Sequence, residues 1–243
     1  MDFLIQYYFL LTHSVETLAA FTGLILYKKY KYTSVKYFIW FLIIICLCEH
    51  FGLYVRYVRP DRSLHFLIGT KFQKNHWWYN LFWSIGGIMF YAFYYHKILK
   101  TRYFKLIIKH SSYCFLIFCI IYYLIRFEEF FHTFFPVIDI LGGIVIFLCV
   151  VLYFIEILQS ERILYFHKSI NFYINATIFM WWLVITPLVF YEIYHTYEMD
   201  GNRNDASFWN IRSYIYLFSN LFMYLTFTFA LIFCKPEHDL ISD

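Results

Sequence analysis

Apolar residues run through this chain in long blocks, separated by short clusters of Lys, Arg, Asn, Gly and acidic residues. Seven blocks approach the length of a bilayer crossing, which takes about 20 mostly apolar residues in a helix. They predict helices at about 3–27, 36–58, 77–98, 103–126, 135–158, 169–192 and 210–234. These blocks use up most of the 243 residues. The expected fold is therefore all-α: one polytopic membrane domain over 1–243, a seven-transmembrane-helix bundle with no room for a soluble catalytic domain. The first block follows Met1-Asp2-Phe3 with no basic region or small-residue cleavage site, and it is too long for a cleaved signal. It is expected to be a retained first helix.

Punctuation inside and between the blocks adds detail. Gly86-Gly87 and Gly142-Gly143 are places where membrane helices can approach closely. Pro136 falls in the first turn of its helix, where its missing N–H costs little. Pro187 falls inside a helix and should kink it. The long connection from Arg59 to His76 contains Leu64-His65-Phe66-Leu67-Ile68, a patch suited to the bilayer surface or to folding back over the bundle. Asp200-Gly201-Asn202-Arg203-Asn204-Asp205 is turn chemistry. It lacks the twelve-residue pattern and closing Glu of a calcium loop. No internal repeat is visible.

Composition strengthens the membrane reading: 62% of residues are hydrophobic and 15% charged, more apolar surface than a soluble domain of this length can hide. The lipid bilayer is thus the first partner. Lys28, Lys29, Lys31, Lys36, Lys97, Lys100, Arg102, Lys105, Arg162, Lys168 and Lys235 mark one set of loops as cytoplasmic, giving an external N-terminus and a cytoplasmic C-terminus. The opposite side holds most of the acids but also Arg56, Arg59, Arg62, Lys71 and Lys74, which run against that rule. A net charge of +4 placed at helix ends is no argument for nucleic acid. Trp77-Trp78, Trp209 and many tyrosines suit the headgroup belt, whereas Trp83 and Trp181-Trp182 lie deeper, as packing or as the wall of a ligand pocket. Cys46, Cys48, Cys114, Cys119, Cys149 and Cys234 fall in or at the ends of helices and read as small apolar fillers.

Against this background the intramembrane polar residues stand out. An ionisable group near the bilayer centre costs about 3 kcal/mol on insertion scales, so it normally faces the bundle interior with a partner. Glu16 lies near mid-membrane in the first helix, and His13 is one turn away on the same face. Thr12 and Thr17 add polar surface nearby. Glu49 with His50, Asn80 with Ser84, Asp139, and Ser219 with Asn220 supply further polar points from other helices. On the N-out topology His13, Glu49, Asn80, Asp139 and Asn220 occupy the outer half, above Glu16, as a polar funnel. Three roles fit: a network that fixes helix packing, a binding or proton-sensing site, or a metal site. Low dielectric raises the pKa of a carboxylate, and a nearby His can switch charge near neutral pH. His13, Glu16 and Glu49 are the metal candidates, limited by the divergence of adjacent Glu49 and His50. Asn175-Ala176-Thr177 has the glycosylation pattern but lies within a helix, where the asparagine is expected to bond across helices.

Some activities are excluded. The last block, Ile211 to Cys234, has no lysine for a retinal Schiff base and no histidine for a ceramidase-type zinc site. Serine or cysteine catalysis lacks a nearby base. Glu16-Thr17-Leu18-Ala19-Ala20 through Gly23, Lys28-Lys29-Tyr30-Lys31, Tyr37-Phe38-Ile39, Glu49-His50-Phe51-Gly52 and Leu217-Phe218-Ser219-Asn220 to Phe233-Cys234 together resemble uncharacterised seven-transmembrane-helix proteins of flavobacteria-like bacteria. The resemblance covers the two ends of the chain and implies a bacterial inner membrane, with no activity attached. The expected function is a non-enzymatic sensor, needing no cofactor, that answers protons or a small ligand at the funnel and signals to a protein partner at the cytoplasmic loops. The alternatives are a proton- or cation-coupled transporter or channel, and a metal-dependent membrane enzyme.

Overall fold

A computed structural model describes residues 2–197 and 206–236. The turn at 200–205 and His238 lie outside the described residues. Among the described residues there is no β-strand, only an isolated bridge between Ser169 and Lys235. Six helical stretches are long and apolar enough to cross a membrane: Tyr8–Ile25, Val35–Tyr57, Arg102–Ile125, Pro136–Leu158, Ile170–Ile193 and Phe208–Phe233. Burial within the fold reaches 50% of the Pro136–Leu158 window but only 22% for Tyr8–Ile25 and Arg102–Ile125. The rest is Leu, Ile, Phe and Val facing outward, including Leu124, Ile125 and Phe147. Hydrocarbon accommodates such faces; water does not.

In chain order the α-helices are α1 (Asp2–Gln6), α2 (Tyr8–Ile25), α3 (Tyr27–Tyr30), α4 (Val35–Gly52), α5 (His76–Tyr79), α6 (Ile88–Ile98), α7 (Arg102–Ile125), α8 (Phe127–Phe130), α9 (Pro136–Leu158), α10 (Ile170–Tyr197) and α11 (Ala206–Phe233). The block expected at 77–98 is helical throughout but not uniformly α. Between α5 and α6, Asn80–Gly87 is wound as a π-helix. The Trp, Tyr, Asn, His and Lys residues of this block make it less apolar than the six stretches. A π-turn is usually a local insertion, found preferentially where side chains need unusual placement.

The chain divides into two compact units, with boundaries inside α4 (Ile43/Ile44) and inside α9 (Cys149/Val150). The first unit joins residues 1–43 to the chain from Val150 onward. Here α11 packs on both α2 and α10. Phe38 meets Phe227 edge-on at 4.9 Å, and Gly23 leaves room for Ile39, whose Cγ2 would lie 3.1 Å from an added Cβ. Glu192 and Arg212 form an ion pair across α10 and α11. α10 continues through Pro187.

The carboxyl end of α11 is held by residues from the other end of the chain. Its last carbonyls have no acceptor duty within the helix and need donors. Lys29 Nζ donates to the carbonyls of Leu231 at 3.2 Å and Ile232 at 3.0 Å. The fully buried Tyr30 places its hydroxyl 3.0 Å from the Leu231 carbonyl and 2.9 Å from that of Cys234, either of which can accept its proton. A cation at a helix carboxyl end also matches the helix dipole. Lys235 N–H donates to the Lys168 carbonyl at 3.2 Å, extending the arrangement to the short 3₁₀-helix Glu161–Lys168.

The second unit runs from Ile44 to Cys149. α4 ends in a 3₁₀ turn, Leu53–Tyr57. The α5 region supplies donors to the last carbonyls of α4: Trp78 Nε1 to Cys48 at 2.9 Å and Asn75 Nδ2 to Gly52 at 2.9 Å. α9 begins at Pro136, as expected for a residue lacking an N–H. Gly142 allows the close approach read from the sequence, since an added Cβ would sit 2.9 Å from Ile88 Cδ1. Gly86-Gly87 does not serve that purpose. Gly87 has open space where a Cβ would be, and the pair instead ends the π-helix. The patch in the long connection forms a short 3₁₀-helix, His65–Leu67, with Phe66 and Ile68 exposed.

Candidate functional site

The six polar residues singled out in the sequence fall into the two units: His13, Glu16 and Asn220 in the first, Glu49, Asn80 and Asp139 in the second. In the second unit they are strung along one short stretch of backbone. Tyr79, the last residue of α5, donates its hydroxyl to Glu49 Oε2 at 2.9 Å. Asn80 follows immediately and is buried; its Nδ2 donates to the carbonyls of Phe130 at 3.0 Å and Thr133 at 2.9 Å. The Tyr123 hydroxyl lies 3.3 Å from the Asn80 carbonyl. One turn on, Ser84 Oγ donates to Asp139 Oδ1 at 2.9 Å. Asn80 and Ser84 are both buried faces of the π-helix. Glu49 and Asp139 are thus each engaged by a residue of, or next to, the π-segment, and Asn80 within it reaches the end of α8 and the residues after it; no hydrogen bond joins the three among the described residues.

This arrangement is chiefly a pairing device. Asn80 satisfies two carbonyls, that of Phe130 at the end of α8 and that of Thr133 just past it, which lack helical donors. Tyr79 and Ser84 each give an acid one hydroxyl partner. Glu49 and His50 diverge as adjacent helical residues must: Glu49 is half-buried, while His50 is exposed with Nδ1 2.7 Å from the Cys46 carbonyl. Tyr79 and Tyr123 were not singled out in the sequence, where they are two of 25 tyrosines and carry no distinguishing spacing.

In the first unit, His13 Nδ1 and Glu16 Oε2 are 3.7 Å apart on α2, an ion-pair distance longer than a hydrogen bond. Glu16 is 2% exposed and His13 14%. The Phe9 ring packs edge-on against His13 at 3.9 Å between centroids. Thr12 Oγ1 is also buried, with no hydrogen-bond partner among the described residues. Thr17, expected to add to this surface, is exposed instead. It stands one residue beyond Glu16, about 100° around the helix. Asn220 accepts from Trp181 Nε1 at 2.9 Å, so Trp181 is tied to a polar residue of α11 rather than standing as a bare apolar wall. Asn175, expected to bond across helices, donates instead to the Asn171 carbonyl of its own helix, one turn back, at 2.5 Å.

Among the described residues no three His, Cys, Asp or Glu side chains gather as a metal site. No protein-family model, curated protein or solved structure matches the chain. The geometry therefore separates one set of acids, individually paired by hydroxyl donors, from a buried His–Glu pair on a single helix.

Proposed function

We propose that this is a seven-crossing membrane protein with an external N-terminus, acting as a non-enzymatic sensor whose responsive element is the His13–Glu16 pair. The seventh crossing is the helical stretch from His76 to Ile98, continuous through its π-segment. The basic loops assigned to the cytoplasm support the orientation. The resemblance at the two chain ends supports a bacterial inner membrane.

One observation carries the sensor reading. Glu16 is almost wholly buried in a span, and its ionisable neighbour is the side chain whose charge changes nearest to neutral pH. As imidazolium and carboxylate the pair is neutral overall; loss of the imidazole proton leaves a carboxylate charge among Ala19, Ala20 and other apolar neighbours of α2. Either proton uptake or a small polar ligand reaching Thr12, His13 and Glu16 would change the packing preference of α2. α2 leads directly into Lys28 and Lys29, so a change there reaches the inner basic loop, where a protein partner would read it.

The test uses full-length protein in liposomes. Hydrogen exchange of segment 28–36 is measured between pH 5.5 and 8. The sensor reading expects a sigmoidal change in protection that is lost in Glu16→Gln and in His13→Gln. Protection that does not vary with pH or with added small polar solutes in wild type overturns it. Proton or cation flux that disappears in Glu16→Gln would establish transport instead.

A further inference from the structure

We propose that a groove at the carboxyl end of the Val35–Tyr57 span is a binding site for one anionic phospholipid, with an acyl chain in the groove and the phosphate on Arg59 and Arg62. This inference does not rest on the sensor reading.

The groove has a volume of about 350 Å³ and is lined by His50, Phe51, Leu53, Tyr54, Tyr57, Ser63 and Leu64. Its lining is mostly apolar, and it opens outward rather than being enclosed. From Phe51 to Tyr57 the chain rises roughly 10 Å, at about 1.5–2 Å per residue. The groove therefore runs from the headgroup level into the upper acyl region of whichever leaflet holds this end of the span.

Its walls are fixed. The Tyr54 hydroxyl lies 2.7 Å from the Phe72 carbonyl and 2.8 Å from that of Lys74, and it accepts from Trp77 Nε1 at 3.0 Å. Leu64 N–H donates to the Tyr57 carbonyl at 3.1 Å, closing residues 57–64 into a compact loop over one end of the groove.

That loop is basic. Arg59 and Arg62 lie within it and Arg56 just before it, against one acid, Asp61. The Arg62 guanidinium stacks 6.0 Å from the ring of Tyr57, itself a groove wall, which places it at the rim. Its contact with Asp61 is 3.9 Å and half-exposed, too loose to neutralise it. Arg59 is exposed and in no ion pair among the described residues. A guanidinium presents paired donors matching a phosphate, and basic residues beside a bilayer draw anionic lipid. An apolar slot ending at exposed arginines is complementary to an anionic lipid at both of its ends. A free phosphate would leave the apolar slot unused; a zwitterionic lipid carries a cation toward the arginines. The assignment also gives a reason for a basic cluster that runs against the charge bias of the other loops.

The experiment reconstitutes full-length protein in phosphatidylcholine vesicles containing trace spin-labelled phosphatidylglycerol or spin-labelled phosphatidylcholine. The motionally restricted fraction is read by electron spin resonance. Wild type is expected to restrict phosphatidylglycerol with a relative association constant about 25-fold above phosphatidylcholine, at roughly fivefold for each of the two arginines. The exposed pair of changes Arg59→Gln and Arg62→Gln should bring the ratio close to one, with circular dichroism unchanged. Ser63→Trp, which fills the groove from an exposed position, should remove the restricted phosphatidylglycerol while leaving both arginines in place. Equal restriction of the two lipids by wild type overturns the proposal. So does a preference that survives the double arginine change, or one that survives Ser63→Trp. Displacement of the label by millimolar inorganic phosphate would also overturn it, reducing the site to a headgroup-sized anion site.

Discussion

Replacing Gly52 by alanine should destabilise the second unit by breaking a contact two steps away. A Cβ at Gly52 would lie 2.7 Å from the Tyr79 hydroxyl, 3.0 Å from Cζ and 3.3 Å from Cε2. The phenol is rigid, and Tyr79 cannot retreat without giving up its 2.9 Å bond to Glu49 Oε2. A hydrogen bond contributes about 0.5–1.5 kcal/mol, and forced repacking costs about 1–3 kcal/mol. Against that, Gly to Ala in a helix gains up to about 1 kcal/mol. The net expectation is a loss of about 0.5–3.5 kcal/mol. Reversible unfolding in mixed micelles, monitored by tryptophan fluorescence, would measure it for Gly52→Ala, Tyr79→Phe and the double variant. Tyr79→Phe removes both the closest clashing atom and the bond at risk. Gly52→Ala should therefore cost at least 1 kcal/mol less in the Tyr79→Phe background than alone, about the size expected for directly touching residues. Strictly additive effects, or a Gly52→Ala protein as stable as wild type, would refute the argument that Tyr79 is pinned between Gly52 and Glu49.

Three further outcomes follow from the structure. Gly142→Ala should cost about 1–3 kcal/mol through Ile88, and Ile88→Val in the same chain should recover part of it, measured by the same unfolding assay. Asn80→Leu removes the donor to Phe130 and Thr133; it should lose about 1–3 kcal/mol and raise hydrogen exchange in 130–135, whereas the exposed neighbour Leu81→Ala should do neither. Burial pushes the Cys234 thiol from 9.0 up to about 11. The folded protein then holds a proton that the unfolded chain has released between those values, so stability should fall as pH rises through that window. Cys234→Ala should flatten the slope; an unchanged slope would show that the thiol is not the group responsible.

The broad architecture was legible because hydrocarbon-length apolar blocks can hardly be satisfied in any other way. Six of the seven blocks appear as helices long and apolar enough to cross, with ends within a few residues of those expected. The π-winding of Asn80–Gly87 was not legible, because no local propensity marks it, and the partners of Tyr79, Asn80 and Ser84 come from distant stretches of the chain. Asn80 and Ser84, four apart, left only the trace of a polar pair. For the same reason the polar residues could be named but their partners could not. A tyrosine such as Tyr79 is chosen from many by tertiary position alone. Asn175 shows the converse error: a buried asparagine found its acceptor in its own helix, an option open to any Asn with a carbonyl one turn back.

The clasp of Lys29 and Tyr30 on the end of α11 has a consequence for how the chain is made. Tyr30 and Leu231 are 201 residues apart. At a synthesis rate of about 5–20 residues per second, the first hairpin waits roughly 10–40 s for the helix it is to hold. The second unit, being continuous in sequence, is emitted whole within that interval. Residues 1–43 therefore spend the interval as an unfinished half, with the Tyr30 hydroxyl and the Lys29 ammonium still lacking the carbonyls they are to bind. An insertion machinery, or the lipid headgroups themselves, must shelter that half until the ribosome has nearly finished.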